Sequence, residues 1–175
     1  MESKTLGRLT NDPDEDVFKS SPIVVRALQN QKCTFVFDDL DNEAKLPEEF
    51  EFAAKNFISL PEDWRGCLST HLWEYYQDVA DSIGPENVPA ISEQEIVEKI
   101  EIGSDISVTW DYDENDVYVS LEFECDWEIE HGLQITLKNG NELAKVGPYD
   151  GHVTNADAYD RDDFKGVIYV KHDML

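Results

Sequence analysis

The chain has 175 residues, 14 Lys and Arg against 39 Asp and Glu, and a formal net charge of −25. That length suits one domain with a core of its own, and an apolar fraction of 41% with four Trp, seven Tyr and eight Phe excludes a disordered polyelectrolyte. So large a negative charge repels nucleic acid and anionic lipid and suits a basic protein partner.

No apolar run follows Met1-Glu2-Ser3-Lys4, so no secretory signal is expected, and no stretch is apolar enough to span a bilayer. The expected address is the cytoplasm. Cys33, Cys67 and Cys125 are odd in number and lack zinc spacing, so they read as small apolar residues in a reducing compartment.

Residues 1–45 form an N-terminal hairpin region. A short strand near Leu6–Leu9 precedes an acidic turn at 11–16. The β-branched and aromatic runs Ile23–Leu28 and Cys33–Phe37 then read as a hairpin with a four-residue connection. At Pro47 the apolar period changes. Phe50, Ala53, Ala54 and Phe57 recur at helical spacing, and residues 46–84 predict a helical hairpin. Ser59 and Glu62 match a capping box for its second helix. That helix carries Leu60, Trp64, Cys67, Leu68, Leu72, Tyr75 and Val79 and stops at Gly84-Pro85.

Strand patterns return after a short helical turn opened by Ser92 and Glu95. Ile102–Trp110, Val117–Trp127, Leu133–Leu137 and Leu143–Val146 read as strands, the last two joined through Asn139-Gly140. Residues 147–163 predict a loop and Val167–Val170 a final edge strand. The expected class is α+β: a single domain over 1–175 with a mostly antiparallel mixed sheet and a central helical hairpin packed on one face.

The run 117–127 predicts a core face of Val117, Val119, Leu121, Phe123, Cys125 and Trp127. Its other face then carries Tyr118, Ser120 and four consecutive carboxylates, Glu122, Glu124, Asp126 and Glu128. From Ile100 to Leu137 there are eleven acids and no Lys or Arg. Glu130, Asp111, Asp113, Glu114 and Asp116 extend the group, and these nine residues are the expected partner-binding surface. One alternative is a solvated face kept charged against edge aggregation. Another is a divalent-cation site, but residues 111–116 lack the glycine and terminal glutamate of a calcium loop. No metal or cofactor is expected.

No nucleophile elbow, phosphate loop or metalloprotease motif occurs, so an enzyme is not expected. The enzymatic alternative is a small metal-dependent hydrolase built from Glu130, His131, Asp150 and His152, should the later loop fold back over the hairpin.

Two segments carry a resemblance. Residues 124–133, Glu-Cys-Asp-Trp-Glu-Ile-Glu-His-Gly-Leu, and 150–157, Asp-Gly-His-Val-Thr-Asn-Ala-Asp, resemble an uncharacterised bacterial family. That family has a C-[DE]-W-[DE]-x-E-H-G-L core and a D-G-H-[LV]-T-N-A-D segment. The likeness extends over 92–159, loosens over the helices, and leaves 160–175 as an extension. It implies an α+β fold with a mixed sheet and a bacterial source, and it assigns no catalytic residue. In charge and size the chain is also similar to immunity proteins, which inhibit toxin domains, often basic nucleases. The expected function is therefore neutralisation of such a toxin by covering its nucleic-acid-binding or active-site surface. A housekeeping interaction module is the remaining alternative.

Overall fold

The computed structural model describes residues 1–38, 40, 44–111 and 115–175 and shows an α+β fold with a mixed, mostly antiparallel sheet. It divides into two compact units, each drawn from several stretches of chain. Among the described residues no helix is long and apolar enough to cross a membrane.

The first unit comprises residues 1–62, 103–121 and 137–142. Its N-terminus is a small hairpin of β1 (Glu2–Ser3) and β2 (Gly7–Arg8), held by the Glu51 carboxylate, which accepts the backbone N–H groups of Lys4 and Thr5 at 2.5 and 3.2 Å. Strands β3 (Thr10–Asp12) and β4 (Val17–Lys19) pair antiparallel, and β4 continues onto β6 (Gln31–Phe37). The expected hairpin forms between β5 (Ile23–Val25) and β6, with Ile23 opposite Cys33. Its connection is longer than the sequence suggested. Arg26–Leu28 make a 3-10 turn, and Gln29 and Asn30 reverse the chain in the left-handed region.

Strand β6 runs parallel to β7 (Ile100–Asp111), with Phe37 opposite Val108. A parallel neighbour needs a long crossover, and the chain between these strands supplies it with helices. Helix α1 (Glu48–Ile58) turns Phe50, Ala53, Ala54 and Phe57 inward. The Phe57 ring meets Phe35 edge-on, and Phe50 lies against Phe37 and Trp110. The full sheet order is β10-β9-β8-β7-β6-β4-β3, where β8 is Asp116–Cys125, β9 Leu133–Lys138 and β10 Glu142–Gly147.

The second unit comprises residues 63–102, 122–136 and 143–175. Helix α1 belongs to the first unit, and α2 (Ser69–Ile83) to the second. Ser59 does not open the second helix. It closes α1, donating its hydroxyl to the Lys55 carbonyl, and a 3-10 segment at Trp64–Leu68 leads into α2. The Ser92–Glu95 pair does form, with the Glu95 carboxylate accepting the Ser92 hydroxyl and backbone N–H ahead of a 3-10 turn.

Residues 167–170 are not a strand. Ile168 accepts one bond from the Val146 N–H, but the buried Asn155 amide occupies the Val167 and Ile168 carbonyls at 2.9 and 3.0 Å, which a ladder would need. The C-terminal segment is instead fastened to α2. Asp78 accepts the Tyr169 hydroxyl and the His172 N–H at 2.8 and 2.9 Å, and Lys171 pairs with Glu74 at 2.9 Å.

Candidate protein-binding surface

The strand carrying the acids departs from simple alternation. Along 117–121 both faces of β8 are buried, Tyr118 and Ser120 included, so nothing there offers an outward polar row. Exposure begins at Glu122 and Glu124. The strand ends at Cys125, two residues before the sequence suggested, because the chain turns at 126–132. Asp126 and Glu128 are therefore turn residues. The four-carboxylate strand face reduces to Glu122 and Glu124, with Asp126 exposed just beyond them.

The turn is built from the conspicuous residues of the motif. Trp127 is 3% exposed and its ring meets Tyr75 and Tyr76 of α2 edge-on, at 6.1 and 6.2 Å. Its indole N–H is buried and has no hydrogen-bond partner among the described residues. Glu128 bends back, and one carboxylate oxygen accepts the N–H groups of Glu130 and His131 at 2.8 and 3.3 Å. Gly132 has φ +61°, and a Cβ there would lie 2.9 Å from the Phe123 carbonyl oxygen. Its own carbonyl accepts the Tyr75 hydroxyl at 2.9 Å. Burial pushes the Cys125 thiol up to about 11, so it is no nucleophile at neutral pH. A thiol reagent at pH 8 is accordingly expected to modify exposed Cys67 first, leaving Cys33 and Cys125 protected until unfolding; mass mapping of the first adduct checks this.

The nine expected partner-binding residues thus fall into different circumstances. Asp113 and Glu114 lie outside the described residues. Asp111, half-buried, ends β7 in the first unit. Asp116, in the same unit, pairs with Lys138 at 2.6 Å and accepts the Asn139 amide; the Lys138 bond holds its carboxyl below the usual range. It is neutralised within the chain, contrary to its expected place in a free acidic surface. Glu128 is committed to the turn. Glu122, Glu124, Asp126 and Glu130 remain exposed, and no Lys or Arg among the described residues pairs with them.

The hydrolase alternative needs Glu130, His131, Asp150 and His152 together. The loop does return: the Tyr149 N–H donates to the His131 carbonyl at 3.3 Å. The side chains, however, have local partners. His131 Nδ1 lies 3.7 Å from Glu128, and His152 Nδ1 3.4 Å from Asp150. Among the described residues no group of three His, Cys, Asp or Glu could hold a metal ion.

Sequence reasoning missed Lys145. It is 1% exposed, and its ammonium donates to Gln134 Oε1 at 3.1 Å, the His152 carbonyl at 3.1 Å and the Asp150 carboxylate. The rest of the second motif is structural in the same way. Thr136 donates to the Val153 carbonyl, Thr154 caps α3 (Asn155–Tyr159) by accepting the Asp157 N–H, and Asn155 fastens residues 167–168. A lysine inside a strand pattern looks like an outward residue, and only the later aspartate, 150, hinted at its partner.

Fold and surface together define an α+β domain whose second unit presents an acidic turn held by aromatic packing. Residues 5–153 match the family model described as "Domain of unknown function (DUF6985)", and the chain belongs to that family. No curated protein and no solved structure matches it.

Proposed function

We propose that this chain is an acidic inhibitor that works in the cytoplasm by docking on a basic toxin domain, a nuclease, and covering its cationic nucleic-acid-binding surface. The supporting observation is the set Glu122, Glu124, Asp126 and Glu130, exposed on a strand end and an internally braced turn and unpaired with any Lys or Arg among the described residues. Glu122 and Glu124, two apart on a strand face, stand about 7 Å apart, so this carboxylate pair repels by on the order of 0.6 kcal/mol even at the dielectric of water. Folding gains nothing from that repulsion, and a cationic partner relieves it. The same field speeds encounter with a basic protein and disfavours nucleic acid and anionic membranes.

The test pairs the chain with the product of the gene immediately upstream of its own. Co-production is expected to restore growth to cells making that product, and the association rate is expected to fall by at least about tenfold between low salt and about 0.5 M salt. Glu122→Lys with Glu124→Lys is expected to weaken binding by about 100-fold or more while leaving the far-ultraviolet dichroism unchanged. Salt-independent association, or rescue by the double variant equal to that of the parent, overturns the reading.

A further inference from the structure

We infer that the 126–132 turn is an apolar anchor set in an acidic rim, with Ile129 as the knob that enters an apolar socket on the cationic surface of the partner. This rests on the proposed function and assigns the centre of that contact. Ile129 is 88% exposed, the most exposed large apolar side chain among the described residues. A lone exposed isoleucine ordinarily says little. This one stands on a turn braced by three of its residues: Trp127 is packed on two tyrosines, Glu128 holds two N–H groups, and Gly132 makes the reversal. None of those tasks needs an apolar β-branched residue at 129. Such a residue is disfavoured in a turn and leaves its side chain in water.

Tyr149 is bonded to the same turn through its backbone. Its N–H bond to the His131 carbonyl fixes its backbone against the turn, and its side chain is 46% exposed. An exposed aliphatic side chain with exposed carboxylates before and after it in the chain, at Glu124, Asp126 and Glu130, has the make-up of an interface centre with a polar rim. The unpaired carboxylates decide the occupant. A second copy of this chain would bring −25 against −25, whereas a basic protein brings the complementary charge. Braces that hold the turn in the free protein also lower the ordering cost of binding.

The experiment uses the full chain, labelled with nitrogen-15, and two synthetic probes: deca-lysine, and a peptide of equal length with its two central lysines replaced by leucine. Both are expected to shift the amides of 122–131 most. The leucine peptide is expected to bind about fivefold more tightly despite its smaller charge. Ile129→Ser is expected to abolish that advantage and leave deca-lysine binding unchanged, while Glu122→Gln with Glu124→Gln weakens both peptides. A leucine advantage that is absent, or that survives Ile129→Ser, overturns the anchor and leaves the acidic-face reading standing. Deca-lysine shifts spread evenly over the molecule overturn the acidic face itself. Concentration-dependent sedimentation abolished by Ile129→Ser assigns the knob to a second copy and also overturns the inference.

Discussion

Gly140→Ala is expected to destabilise the fold by at least about 3 kcal/mol, measured as a drop in the urea midpoint at unchanged slope. Two effects combine. Gly140 has φ +78°, where an alanine is strained by about 1 kcal/mol or more. Its Cβ would also stand 2.0 Å from the backbone carbonyl oxygen of Ala53 in α1, and backbone cannot rotate aside as a flexible side chain can. Relief means lifting the hairpin off the helix. That movement breaks the Asn56 bond to the Asn139 carbonyl at 2.9 Å and loosens the Asn139 N–H bond to Val117. Gly7→Ala is the control, since its φ is +77° but nothing lies within 4 Å of the added methyl, so only the backbone strain of about 1 kcal/mol is expected. Equal losses in the two variants would show that the hairpin yields without cost and that the close approach does not hold it.

The turn at 139–140 was legible because its requirement is local. Asn-Gly favours two successive positive φ values, and both residues have them, at 51° and 78°. The helix of residues 48–58 was legible for the same kind of reason, a period that only a helix satisfies. The capping pattern misled at Ser59 because a serine that accepts from the following turn can equally donate to the preceding one. Residues 167–170 have the composition of a strand, yet strand formation requires free carbonyls. The side chain of Asn155, from a helix twelve residues earlier, takes the Val167 carbonyl and shares that of Ile168 with the Val146 N–H, which no local pattern reveals.

The candidate surface was legible in composition and not in geometry. Alternation placed Glu122 and Glu124 outward correctly. It failed at Asp126 and Glu128 because the aromatic packing of Trp127 on Tyr75 and Tyr76 draws the chain off the strand into its turn. Asp116 was lost to the surface through Lys138, a residue just outside the lysine-free window on which the sequence argument rested. Charge counted along a sequence cannot see a cation delivered by the next strand. Ile129 passed unnoticed because a strand pattern through 127 makes the next apolar residue look like core.

Asp150→Asn is expected to cost about 3 kcal/mol at neutral pH and progressively less as the pH approaches 10.5. Burial lowers the Lys145 ammonium below its usual range, and the Asp150 carboxylate opposes that fall. The unfolded chain therefore binds more protons than the folded one between the folded value and 10.5, and stability contributed by this group rises with pH across that window. Removing the carboxylate charge lowers the folded value further, so the window extends downward and the deficit relative to the parent is largest where Lys145 is charged in both states. Comparing parent and variant at each pH cancels the general alkaline repulsion of a chain already at −25. Lys145→Met with Asp150→Asn separates the charge from the shape, because an apolar stem fills the space with no buried ammonium to satisfy. It is expected to recover part of the loss and to flatten the pH dependence, although Gln134 Oε1 and the His152 carbonyl still lose their donor. A deficit for Asp150→Asn that stays constant from pH 7 to 10.5 would mean that Lys145 is hydrated, and that its charge does not hold the 147–153 loop.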